Sequence, residues 1–157
     1  MGSDLQSEML AAANSAVQHA KKLWSTDLDF SPHSIEDVEL ILARMYETIP
    51  HRAIEKLLRK KPSEEQMATI AVSYGAYLGE VIRREFGGTW QTQDVSGQPA
   101  LTLVFDEKNM IFPPAKIWKR LNKGAEDNVW SFYRVLTDML RDQRAGKDWF
   151  PNQDASS

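Results

Sequence analysis

The chain contains no cysteine. That excludes disulfide staples, thiolate nucleophiles and cysteine-based zinc sites. It has no run of about 18 consecutive apolar residues, so no segment reads as a membrane-spanning helix. Histidine is scarce: His19, His33 and His51 are scattered, and none has a second histidine at helical ligand spacing. No metal site and no cofactor are therefore expected. Also missing are a phosphate-cradling Gly-rich loop, a His-Glu-x-x-His helix, a Gly-x-Ser-x-Gly elbow and an EF-hand loop. Basic charge is not in excess: 19 Lys and Arg stand against 22 Asp and Glu, a net charge of -3. A general nucleic-acid binder would usually be basic. The first residues, Met1-Gly2-Ser3-Asp4, lack a basic stretch followed by an apolar run, so no secretory leader is expected. A reducing cytoplasm suits a cysteine-free chain.

What is present suffices for an ordinary folded domain. The 157 residues are 42% hydrophobic and 26% charged, enough to bury a core without a staple. The pattern predicts an N-terminal helix within 1–24, one mainly helical α+β domain over 28–144, and a loose tail over 145–157. Leu5, Met9, Ala13, Ala16, Val17, Ala20, Leu23 and Trp24 recur at helical spacing. Ser34 with Asp37 predicts a capped second helix, carrying Ile35, Val38, Ile41, Leu42, Met45 and Ile49 on one face. A short third helix is expected over His51–Lys61. Pro62-Ser63-Glu64-Glu65-Gln66 is the clearest helix start: Ser63 caps, Gln66 reaches back, and the two acids favour the positive end of the dipole. That helix runs to about Phe86 and stops at Gly87-Gly88. Two apolar stripes cover most of it and leave Thr69, Ser73, Glu80 and Arg84 as a narrow polar strip. It is therefore predicted, over about 63–86, to be the central rod of the fold. The period then drops to two. Strands are expected over Thr89–Val95, Pro99–Asp106 and Met110–Phe112, a three-stranded antiparallel meander over about 89–112. Pro114 suits the first turn of a helix through Asn122, and a last helix is expected over about Asp127–Arg144.

Several residues have competing structural and functional readings. Gly75-x-x-x-Gly79 predicts close approach of another backbone to the rod rather than pairing in lipid, because Glu80, Arg83, Arg84 and Glu85 follow on the same helix. Glu80 and Arg84 stand four apart and read as an exposed pair, or as a polar groove that receives a partner. Glu126 and Asp127 read as acids favouring the start of the last helix. Trp90 and Trp118 read as core or as binding anchors. Lys116, Lys119, Arg120 and Lys123 read as the outer face of the helix that starts at Pro114. Charge comes in blocks: six acids and one Arg over Asp27–Glu47, five bases and one Glu over Arg52–Lys61, and five bases and no acid over Lys108–Lys123.

The run Tyr74-Gly75-Ala76-Tyr77-Leu78-Gly79-Glu80-Val81, continued by Gly87-Gly88-Thr89-Trp90, has the form of a Gly-x-Tyr-Leu-Gly-Glu-Val helix followed by a Gly-Gly-x-Trp strand start. Pro113-Pro114-x-Lys116-x-Trp118-Lys119-Arg120 follows. Together they resemble a family of small uncharacterised bacterial domains over roughly residues 28 to 140. Some members look like toxin-immunity or accessory proteins. The resemblance implies a bacterial α+β domain with a binding role and carries over no catalytic residue.

The leading expectation is a non-enzymatic cytoplasmic protein-binding domain, with occlusion of a toxin or effector as one form. Its expected contact residues are Glu80, Arg83, Arg84, Trp90, Lys116, Lys119 and Arg120. One alternative is an enzyme acting on a small polar substrate around Glu80, Arg84 and Tyr77. Another is a nucleic-acid accessory protein using the Arg52–Lys61 and Lys108–Lys123 blocks.

Overall fold

A computed structural model describes residues 4–50 and 62–146. The expected His51–Lys61 helix, with its basic block, and the tail beyond Gly146 lie outside the described residues. The described residues form five α-helices and a three-stranded sheet: α1 (Leu5–Trp24), α2 (Ser34–Thr48), α3 (Glu64–Phe86), β1 (Thr89–Val95), β2 (Gln98–Val104), β3 (Met110–Ile111), α4 (Pro113–Lys123) and α5 (Val129–Arg144). The protein is a mainly helical α+β domain, as the sequence predicts. The sheet is an antiparallel meander in the order β1-β2-β3.

α3 begins with the capping box read from the sequence. The Gln66 amide N–H donates to Ser63 Oγ at 3.0 Å, and the Ser63 N–H donates to Gln66 Oε1 at 2.9 Å. From Tyr74 to Ile82 every residue of α3 is buried. This is possible because α3 is thin where its neighbours cross. A Cβ on Gly75 would lie 2.5 Å from the backbone N and Cα of Pro114, and one on Gly79 would overlap the Trp90 ring. α1 and α4 make the main contacts with α3, while α2 packs on α4 and α5. One core runs through the domain, from Met9 and Ala13 of α1 through Tyr74 and Leu78 to Leu103, Ile117 and Tyr133.

The buried tyrosines of α3 fasten its neighbours. The Phe30 N–H donates to the Tyr77 hydroxyl at 2.7 Å, Tyr77 meets Ser34 Oγ at 2.6 Å, and Ser34 donates to the Ser31 carbonyl at 2.6 Å. Ser34 is thus not the cap that the sequence suggests. It is the first residue of α2, His33 takes the cap position without a side-chain bond, and the Ser34 hydroxyl is used up by the buried Tyr77. The polar strip of α3 is also shorter than predicted. Thr69 and Arg84 are exposed and Ser73 half-buried, but Glu80 is 1% exposed. The last helix starts at Val129, because Ala125–Asp127 forms a 3-10 turn and Asn128 caps the helix. Asp127 pairs with Lys116 at 3.2 Å instead of serving the helix dipole.

His19 of α1 holds the Tyr74 hydroxyl through Nδ1 at 2.7 Å. Burial pushes its imidazolium pKa below the ordinary value and that of the Tyr74 phenol upward. A depressed histidine pKa means that the unfolded chain binds more protons, so stability is full above about pH 6.5 and falls as pH drops below it. The thermal midpoint is expected to decline between about pH 6.5 and pH 5, before carboxylates titrate, and His19→Gln is expected to flatten that decline. An unchanged slope in the variant would remove His19 as its source.

Candidate functional site

Among the described residues two acids, Glu39 and Glu80, lie inside the fold, and each accepts several hydrogen bonds. Glu80 accepts from Arg83 Nε at 2.7 Å, from Arg83 Nη2 at 3.0 Å and from the Trp90 indole N–H at 2.9 Å. Burial raises the carboxyl pKa, but the bonds from Arg83 and Trp90 and the charges of Arg83 and Arg84 outweigh it, so the net shift is downward. Arg84 does not pair with Glu80. Its guanidinium lies 3.8 Å from the centroid of the Phe30 ring.

Glu39 of α2 accepts from Arg120 Nε at 3.0 Å through both carboxylate oxygens, from Arg120 Nη2 at 2.9 Å and from the Val129 amide at 2.9 Å. This carboxylate ties α2 to α4 and to the first turn of α5. Sequence reasoning passed over Glu39, although a signal was there: it falls between Ile35 and Leu42 on the apolar face of α2. Arg120 likewise falls beside Ile117 and Leu121 in the buried stripe of α4. A charge within an apolar stripe must be paired inside the fold or it costs several kcal/mol.

The seven expected contact residues therefore do not form one surface. Glu80, Trp90 and Arg120 are 1%, 3% and 3% exposed, so these three belong to the interior. The outer-face reading of Arg120 and the exposed Glu80–Arg84 pair are both corrected. Trp90 is buried because its ring fills the notch at Gly79 while its N–H reaches Glu80. Arg83 is half-buried on Glu80, and Arg84 is exposed on Phe30. Of the residues around which an enzyme reading was built, Glu80 is bonded to Arg83, Arg84 lies over the Phe30 ring and the Tyr77 hydroxyl accepts from the Phe30 amide. Among the described residues no cluster of His, Asp and Glu has the makings of a metal site.

Lys116 and Lys119 are different. They edge a groove between the sheet, α4 and α5 that has two basins. One, of about 420 Å³, is lined by Val95 and Ala100 of the β1–β2 hairpin, Met110 to Phe112, Ala115, Lys116 and Lys119 of α4, and Phe132 of α5. The other, of about 460 Å³, lies between the 3-10 turn and α5, with Lys116, Asn128, Phe132, Val135, Leu136 and Met139 in its walls. Lys116 and Phe132 are common to both basins. Val95, Met110 and Val135 are 45%, 38% and 62% exposed, so large apolar side chains face water along the groove. Lys116 is held by Asp127 and lies 5.4 Å from the Phe132 centroid. Lys119 is exposed and has no acidic partner among the described residues. Val135 was not singled out in the sequence; it sits on the outer side of α5, away from Tyr133 and Leu140.

A family model described as Domain of unknown function (DUF3806) matches residues 50–133, and the chain belongs to that family. The match takes in α3, the meander, α4 and the first turn of α5, while α1 and α2 lie before it. No curated protein and no solved structure matches the chain. No helix among the described residues is long and apolar enough to cross a membrane.

Proposed function

We propose that the chain is a protein-binding domain that acts by occupying a partner's surface, without bond chemistry of its own. One observation carries this reading: the two-basin groove exposes Val95, Met110 and Val135 around the shared Phe132 wall, and among the described residues Lys119 lines it as a cation without an acidic partner. Contiguous exposed apolar surface with a polar rim is characteristic of interaction sites. The buried acids support the same view, because Glu39 and Glu80 spend their lone pairs on the fold. The Lys108–Lys123 block favours a protein over a nucleic acid, since Glu39 neutralises Arg120 and Asp127 neutralises Lys116. Occlusion of a toxin or effector in the cytoplasm is the form of binding that the sequence resemblance suggests.

The test places a photoreactive benzoylphenylalanine at Val135, at Met110, and at the exposed Leu23 and Leu40 outside the groove, in cells that naturally make the protein. One discrete crosslinked protein is expected from Val135 and Met110 and none from Leu23 or Leu40. Identical products from all four positions, or none from the groove, would contradict the reading.

A further inference from the structure

The basin of about 420 Å³ lies against an unfinished sheet edge. β2 pairs with β1 at all seven positions from Gln98 to Val104, but with β3 only at Leu103 and Val104. The Phe105 N–H donates to the Asn109 carbonyl, at 2.9 Å, on the β3 side. Because strand residues alternate, Leu103 and Leu101 turn their N–H and C=O to that same side. Leu103 faces Ile111 there. The position that would face Leu101 is Pro113, which has no N–H and opens α4. The Leu101 N–H and C=O and the Pro99 C=O thus face no strand among the described residues. Ala100 of this edge and Ala115 and Lys119 of α4 line the basin together. A slot between a strand edge and a helix is the geometry in which an extended peptide adds as a further strand.

We propose that the partner enters the groove as an extended acidic segment, added beside Pro99–Leu101, with apolar side chains in the basin and a carboxylate at Lys119. This rests on the groove reading above and adds the backbone mode and the charge of the partner. The charge argument is complementarity: Lys119 lines the basin beside the strand edge, is exposed and has no acidic partner among the described residues, while Glu126 lines only the other basin. α4 carries no acid at all.

The test is calorimetric titration of the full chain with an octapeptide alternating Val and Asp. The controls are a Val–Lys counterpart and two forms of the Val–Asp peptide, N-methylated at the Val or at the Asp residues. Backbone nitrogens of an added strand alternate in direction, so one N-methylated form is expected to bind at least about tenfold more weakly and the other nearly as well as the parent peptide. The Val–Lys peptide is expected to bind weakly to the parent protein and better than Val–Asp to Lys119→Glu. If both N-methylated forms bind like the parent peptide while Met110→Asp abolishes binding, strand addition is wrong and the groove reading stands. If no peptide binds yet Met110 still crosslinks to a partner, the strand proposal falls alone. If neither occurs, both fall.

Discussion

Replacing Glu39 with alanine is expected to remove about 3–5 kcal/mol of stability, because it leaves the Arg120 charge buried without its counter-ion. The folded state of a domain is favoured by only about 5–15 kcal/mol in total, so the variant would be close to unfolding at physiological temperature. The loss exceeds that of a surface ion pair for two reasons. Arg120 is 3% exposed and cannot turn to water, and the Val129 amide loses its acceptor as well. Urea denaturation measures the effect. The joint replacement Glu39→Leu with Arg120→Met should recover most of it, since apolar residues of similar volume replace buried pairs with little penalty. A single-variant loss under about 1 kcal/mol would place the pair in the surface class.

Gly75→Leu is expected to be comparably damaging, for a steric reason. Inside a helix, replacing glycine with alanine normally stabilises by about 0.5–1 kcal/mol. At Gly75 the sign should reverse, because the new Cβ meets the Pro114 backbone at 2.5 Å and that backbone has no rotamer with which to yield. Overpacking of this kind costs about 1–3 kcal/mol, and leucine brings three further carbons. Gly79→Ala should be milder than Gly75→Ala, because its obstruction is a side-chain ring. Thermal midpoints of the two alanine variants and of Gly75→Leu decide the matter. A midpoint for Gly75→Ala equal to or above that of the parent would mean that α4 does not rest on α3.

The central place of α3 was legible in the sequence because local and tertiary signals agree there. Ser63 and Gln66 set its start, and Gly75 and Gly79 announce a close neighbour. The meander was legible because period-two patterning and the Ser96-Gly97 turn coincide, and the observed strands differ from the expected ones by at most two residues. Polar residues were harder to read, because hydrogen-bond partners distant in sequence leave no local pattern. Tyr77 lies 43 residues from the Ser34 that it holds, and Arg120 lies 81 from Glu39. Glu80 was read as exposed from helical angle alone. That argument holds at Arg84 and fails at Glu80, where the Trp90 indole closes over the strip. Of the site, Lys116 and Lys119 were found from charge, whereas Val135 and the two basins exist only once α5 is set against α4 and the sheet.

Buried polar residues hold the fold, and the proposed recognition falls to the apolar groove. The crosslinking yield at Val135 in Glu80→Gln protein, held well below its own thermal midpoint, tests that division most directly. The predicted result is a lowered midpoint with the parental crosslink retained. A parental midpoint with the crosslink lost would place Glu80 in recognition and contradict the account.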